Sequence, residues 1–132
     1  MLEIPQEMVD RVVAHARRDH PDECCGVISA KDGAATRIFE MENAERSPTG
    51  FVFDSQEWLR VYRDIDDADE EPLAVYHSHT ATEAYPSRTD VRWSATAGFP
   101  HWLLVSTRSA ERELRSFTIE DGVVTEEEVR VT

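Results

Sequence analysis

The sequence predicts an α/β layered domain, a mixed β-sheet flanked by helices, and three observations carry that expectation. Segments with apolar residues at helical spacing alternate with short β-branched or aromatic runs. Two Asp-Gly turn signals, Lys31-Asp32-Gly33 and Glu120-Asp121-Gly122, add antiparallel hairpins, so the sheet should not be purely parallel. A length of 132 residues with 40% hydrophobic content suits one core, so residues 1–132 read as a single domain.

Each element has a local reason. Pro5 opens a helix on which Met8, Val9, Val12, Val13 and Ala16 form an apolar stripe, and Arg17, Arg18 and His20 end it before Pro21. That basic end complements the helix dipole. Cys25 to Ala30 and Thr36 to Phe39 read as a hairpin, Glu42 to Gly50 as loop, and Phe51-Val52-Phe53 as a short strand. Asp54 or Ser55 then caps a helix whose Trp58, Leu59, Tyr62 and Ile65 share one side, a pattern that reads as core. The acidic run from Asp64 to Glu71 reads as a solvated helix end and turn. Leu73-Ala74-Val75-Tyr76 is a buried strand, and Ser87 followed by Asp90 has the form of a capping box opening a helix on Val91, Trp93 and Ala97. Trp102 to Val105 is a further buried strand, and Glu113 to Ile119 should pair with Val123 to Val131.

Composition excludes several function classes. Twenty-seven acidic residues against 14 Lys plus Arg give a net charge of −13, which opposes binding to the phosphate backbone of nucleic acid. No run of eighteen apolar residues could span a membrane, and Met1-Leu2-Glu3-Ile4-Pro5 lacks the form of a secretory leader, so a cytoplasmic protein is expected. Cys24 and Cys25 are adjacent, with Cα atoms about 3.8 Å apart, below the roughly 4.4 to 6.8 Å that a disulfide spans. They should be free thiols in a reducing compartment. Whether the chain pairs as a homodimer is left open by the sequence.

The run from His77 to Asp90 carries the chemistry. Strand side chains alternate, so His77 and His79 share one face at the end of the Leu73–Tyr76 strand, and the capping box brings Asp90 to the start of the next helix. Two imidazoles and a carboxylate are three ligands of the kind zinc accepts, leaving a fourth tetrahedral position for water, as in catalytic sites. A structural zinc site would be closed by four ligands rich in Cys, and no Cys lies near. One zinc per chain is therefore expected. His15, His20 and His101 read as surface or core residues. A Cys24 or Cys25 nucleophile is the competing catalytic reading, but it leaves the two histidines and Asp90 unexplained.

The pattern HxH, seven residues, SxxD resembles the motif of the JAMM (MPN-plus) metallopeptidases, and Pro21-Asp22-Glu23-Cys24-Cys25-Gly26 resembles the upstream segment that carries that family's glutamate. The resemblance implies the MPN fold, zinc held by His77, His79 and Asp90, Glu23 as general base, and Ser87 as a hydroxyl that stabilises the oxyanion. Residues 14–23, 43–49 and 76–91 are further similar to the Mec branch, bacterial peptidases that remove cysteine from the carboxyl end of a ubiquitin-like sulfur carrier, CysO, in cysteine biosynthesis. Such a carrier is thus the implied partner. A different ubiquitin-like or peptide tail, or a metal-free scaffold of the same fold, are the alternatives, the latter disfavoured because all five site residues are present. Two departures stand out: Thr80 replaces the Pro common after the second His, and Cys24 adds a thiol beside the usual Cys25.

Overall fold

In a computed structural model describing residues Met1–Thr132, the elements run β1 (Leu2–Ile4), α1 (Gln6–Asp19), β2 (Cys25–Lys31), β3 (Ala34–Met41), α2 (Ser55–Asp67), β4 (Glu71–His79), α3 (Arg88–Ala97), β5 (His101–Ser106), β6 (Glu113–Glu120), β7 (Val123–Glu127) and β8 (Val129–Val131). Six strands form one sheet in the order β3-β2-β4-β5-β6-β7. It is mixed: β4 and β5 are parallel, joined through α3, and every other neighbouring pair is antiparallel. Both Asp-Gly turns are present, with Asp32 at φ 51° and Gly33 at 81°, and Asp121 at 50° and Gly122 at 77°. Positive φ at both central residues matches the twist of a two-residue hairpin.

The period-2 alternation of β4 decides which side chains go where. Ala74 and Tyr76 face α1, in a core with Val9, Val12, Ala16, Ile28 and Leu103. Val75 faces the opposite way, into a second core with Val27, Ile65, Trp102, Leu104 and Phe117. By the same parity His77 and His79 emerge on the second face, the side where α3 packs. Burying each of the large aliphatic residues in these cores stabilises the fold by about 1.5–3 kcal/mol.

Gly26 is required by a close approach. It lies opposite Tyr76 across the β2–β4 pair, and a Cβ there would overlap the Tyr76 ring. That ring cannot move aside, because it is wholly buried and its hydroxyl lies 2.7 Å from His15 Nδ1. Gly26→Ala is expected to lower stability by about 1–3 kcal/mol, the usual effect of overpacking a core. Urea denaturation checks it, and an unchanged midpoint would mean that the ring has room to shift.

Several expectations are corrected. The segment expected as one strand from Val123 to Val131 divides at Glu128: β7 stays in the main sheet, while β8 pairs in parallel with β1, a strand that local patterning does not reveal. Phe51-Val52-Phe53 is not a strand; it contributes one isolated bridge, Asn43 to Phe53, the Val52 N–H is taken by the Asn43 side chain, and the Phe rings turn toward α3. The apolar side of α2 is not all core. Ile65 is buried, but Leu59 and Tyr62 are about half exposed, at 48% and 49%. No helix is long and apolar enough to cross a membrane.

Candidate metal centre

Three elements converge at the carboxyl end of β4. Asp54 caps α2, its side chain accepting from the Gln56 and Glu57 backbone N–H groups, which fixes the helix lining one side of the site. Ser87 caps α3 in a complete capping box: its Oγ accepts from the Asp90 N–H at 3.1 Å, and Asp90 Oδ2 accepts from the Ser87 N–H at 2.8 Å. The cap therefore fixes the Asp90 carboxylate itself. On the third side, the Cys24 N–H donates to Ser78 Oγ at 2.8 Å and the Ser78 N–H to the Cys24 carbonyl, holding the start of β2 against the end of β4. Glu23, one residue before, is thereby brought to the histidines.

Asp90 Oδ2 lies 3.1 Å from His77 Nε2 and 3.6 Å from His79 Nε2. Glu23, His77 and His79 in turn present potential ligand atoms within 4.8 Å of one another. All four side chains are buried. The loop between them is pinned from outside: Ala84 N–H donates to Glu113 Oε2 at 2.7 Å, and Ser106 Oγ donates to the Thr82 carbonyl at 2.6 Å. His79 Nδ1–H donates to the Glu83 carbonyl at 2.9 Å, which leaves the His79 Nε2 lone pair aimed at a carboxylate oxygen. Two acceptors so placed repel unless a cation or a proton lies between them. The His77 Nδ1 atom is enclosed and has no partner. A divalent cation fits this donor set of two nitrogens and one or two carboxylates.

The electrostatics follow from burial and from these contacts. Burial pushes the Glu23 carboxyl up to about 7; His79 nearby opposes the rise, while Asp90 and Glu45 add to it. Burial would also raise the Asp90 carboxyl, but His77, the bonds to both imidazoles and the Ser87 amide hold it far below the usual carboxylate range. Burial would lower His79, yet Asp90 and the Glu83 carbonyl outweigh it and keep the imidazole above its ordinary value. The thiols behave differently. Burial raises Cys24 to about 12 and Cys25 higher still, so neither is a thiolate nucleophile at neutral pH.

Glu23, His79, Ser87 and Asp90 line the floor of a groove of about 1050 Å³, and His77 lies buried behind it. One wall is aromatic, with Phe51, Phe53, Trp58, Tyr62, Trp93 and Phe99, and Phe51 rests 4.6 Å centroid to centroid from the His77 ring. The other is the chain after His79, where the Thr80 hydroxyl donates to the Pro48 carbonyl at 3.0 Å. A proline at 80 would lack that tie.

All five residues singled out from the sequence, Glu23, His77, His79, Ser87 and Asp90, line this one centre or its capping turn. The sequence did not point to Asn43. Its side chain donates to the Glu23 and Gly50 carbonyls and accepts from the Glu45 and Val52 N–H groups, tying the groove loop to the backbone of Glu23. Glu83, the other acid of the loop, contributes its carbonyl, while its side chain is 58% exposed and faces Arg115 at 3.5 Å. His15, His20 and His101 lie outside the centre, bonded to Tyr76, Thr107 and Glu127.

A family model described as prokaryotic homologs of the JAB domain matches residues 5–120. The CysO-cysteine peptidase of Mycobacterium tuberculosis (strain H37Rv) is 57% identical, covering 99% of this chain and 91% of its own. A desampylase of Haloferax volcanii is 27% identical over 74% of this chain and 76% of its own. Among solved structures, a Desulfitobacterium hafniense protein superposes with a TM-score of 0.85 at 30% identity, covering 100% and 93% of the two chains. A JAB1/MPN domain protein from Archaeoglobus fulgidus gives 0.69 at 16% identity, covering 99% and 97%, a likeness of fold.

Proposed function

Because this chain belongs to the family of prokaryotic JAB-domain homologs, we propose that it is a zinc-dependent peptidase that hydrolyses the amide joining cysteine to the carboxyl terminus of a ubiquitin-like sulfur carrier, CysO-cysteine, and so releases free cysteine. The observation that carries the reading is the convergence of Asp90 on both imidazoles at the floor of an open groove. The 57% identity over 99% of the chain to CysO-cysteine peptidases supports the substrate. We place the reaction in the cytoplasm, where the free thiols Cys24 and Cys25 stay reduced.

His77, His79 and Asp90 would hold the metal. Bound there, zinc supplies Lewis acidity, polarising the scissile carbonyl and acidifying water toward neutrality. Glu23 takes the proton of the attacking water and returns it to the departing cysteine amine; a buried carboxylate beside the reacting point is suited to both steps. Ser87 uses its oxygen lone pair as a helix cap, which leaves its hydroxyl hydrogen free to donate to the developing oxyanion. Ser87→Ala is accordingly expected to lower kcat/KM by roughly 100- to 1000-fold, the usual effect of losing one such donor, while stability falls by only about 1 kcal/mol from the lost cap. Steady-state kinetics beside thermal unfolding check this; a loss of activity no larger than the loss of stability implies would leave Ser87 a cap alone.

A second reading is hydrolysis of other ubiquitin-like conjugates. It is favoured by the similarity, at 26–27% identity, to two desampylases and to a probable TtuB-protein conjugate cleaving protease of Thermus thermophilus. Measuring kcat/KM for CysO-cysteine beside an isopeptide-linked carrier conjugate separates the two. The proposal expects CysO-cysteine to be strongly preferred, and a preference for the isopeptide would replace it with the second reading.

A further inference from the structure

A second groove, of about 690 Å³, lies on the other side of α3, between that helix and the β6–β7 turn. Ser87 is the one residue that lines both grooves. Their charges differ. The larger groove carries Glu23, Glu45 and Asp90 and no Lys or Arg, whereas the smaller carries Arg88 and Arg92 against a single carboxylate, Asp121. Nearby arginines are occupied: Arg108 pairs with Glu113, and Arg115 with Glu126 and Glu83. Arg88 and Arg92, like Arg17, Arg60, Arg63, Arg112 and Arg130, form no ion pair within 4.0 Å, and of these seven only Arg88 and Arg92 line either groove. They sit four residues apart on α3, where side chains stand one above the other about 5–6 Å apart at Cβ, so two guanidiniums can close on one anion.

Resting on the peptidase reading above, we infer that Arg88 and Arg92 form a subsite for the free α-carboxylate of the terminal residue that the reaction removes. The polypeptide tail lies in the large, aromatic-walled groove, the scissile amide reaches the centre beside Ser87, and the leaving residue crosses Ser87 into the smaller groove. Its carboxylate carbon is two bonds from the scissile nitrogen, and Arg88 directly follows Ser87. A guanidinium presents N–H groups in the fork geometry that a carboxylate accepts, so the subsite selects a substrate ending in one free residue over one continuing as a chain. Arg88 and Arg92 are then specificity-determining residues, which do not take part in bond breaking.

The test compares a carrier ending in cysteine with the same carrier ending in cysteinamide, cleaved by the metal-loaded wild type and by the Arg88→Gln, Arg92→Gln double variant. Both positions are exposed, so the variant should melt as the wild type does. The wild type is expected to prefer the free acid by roughly 10- to 100-fold in kcat/KM, the range of charge-assisted hydrogen bonds. The variant should lose that preference through the acid alone, with the amide cleaved at an unchanged rate. Equal losses on both substrates would overturn the proposal and assign the arginines to contacts with the body of the carrier. A wild type indifferent to amidation would overturn it also. A wild type that cleaves neither substrate would remove the peptidase reading and this subsite together.

Discussion

Asp90→Ala is expected to strip the metal from the chain and to abolish hydrolysis. The carboxylate lies within 3.6 Å of both imidazole Nε2 atoms and is buried, so no solvent-exposed acid can replace it. Altering the mere hydrogen-bond partners of a metal ligand lowers affinity by about 10- to 100-fold, and removing a ligand should exceed that. The variant also loses half of the α3 capping box, an effect of about 1 kcal/mol on stability, and His77→Ala provides the comparison in which the cap is intact. Metal content measured on both purified variants checks the expectation. Unchanged zinc in both would place the metal elsewhere.

Glu23→Gln should give the opposite combination: folded, metal-loaded and inactive. Glutamine keeps the size and the hydrogen-bonding reach of the side chain but cannot accept the proton, and losing a positioned proton-transfer group lowers kcat by roughly 100- to 10,000-fold. The outcome decides between two arrangements that the geometry allows, because Glu23 lies close enough to both histidines to be a ligand itself. Retained zinc with lost turnover assigns it proton transfer. Lost zinc would make Glu23 a ligand, and near wild-type turnover would exclude it from the chemistry.

The centre was readable because its determinants are local. The β4 period puts His77 and His79 on one face, and the three-residue interval from Ser87 to Asp90 is set by the geometry of a helix start. Glu23 was reached through family resemblance, since nothing local ties it to a strand more than fifty residues away. What stayed hidden depends on long-range contacts. The β1–β8 pair joins residues near opposite ends of the chain, and three-residue strands give too little pattern to detect. Trp58 and Tyr62 have core spacing, yet α2 buries Ile65 and turns these aromatics to the groove, a choice made by where the helix docks. Asn43 is likewise an ordinary loop residue until folding places the Glu23 carbonyl beside it.

The most direct test of the account is the mass of CysO-cysteine after incubation with the protein, with and without a chelator. Zinc-loaded protein should remove one cysteine residue from the carrier, chelation should stop the reaction, and added zinc should restore it. Cys24→Ala and Cys25→Ala should retain activity, since both thiols are buried and held protonated. Hydrolysis that persists under chelation, and that is abolished by Cys25→Ser in protein shown to remain folded, would contradict the account.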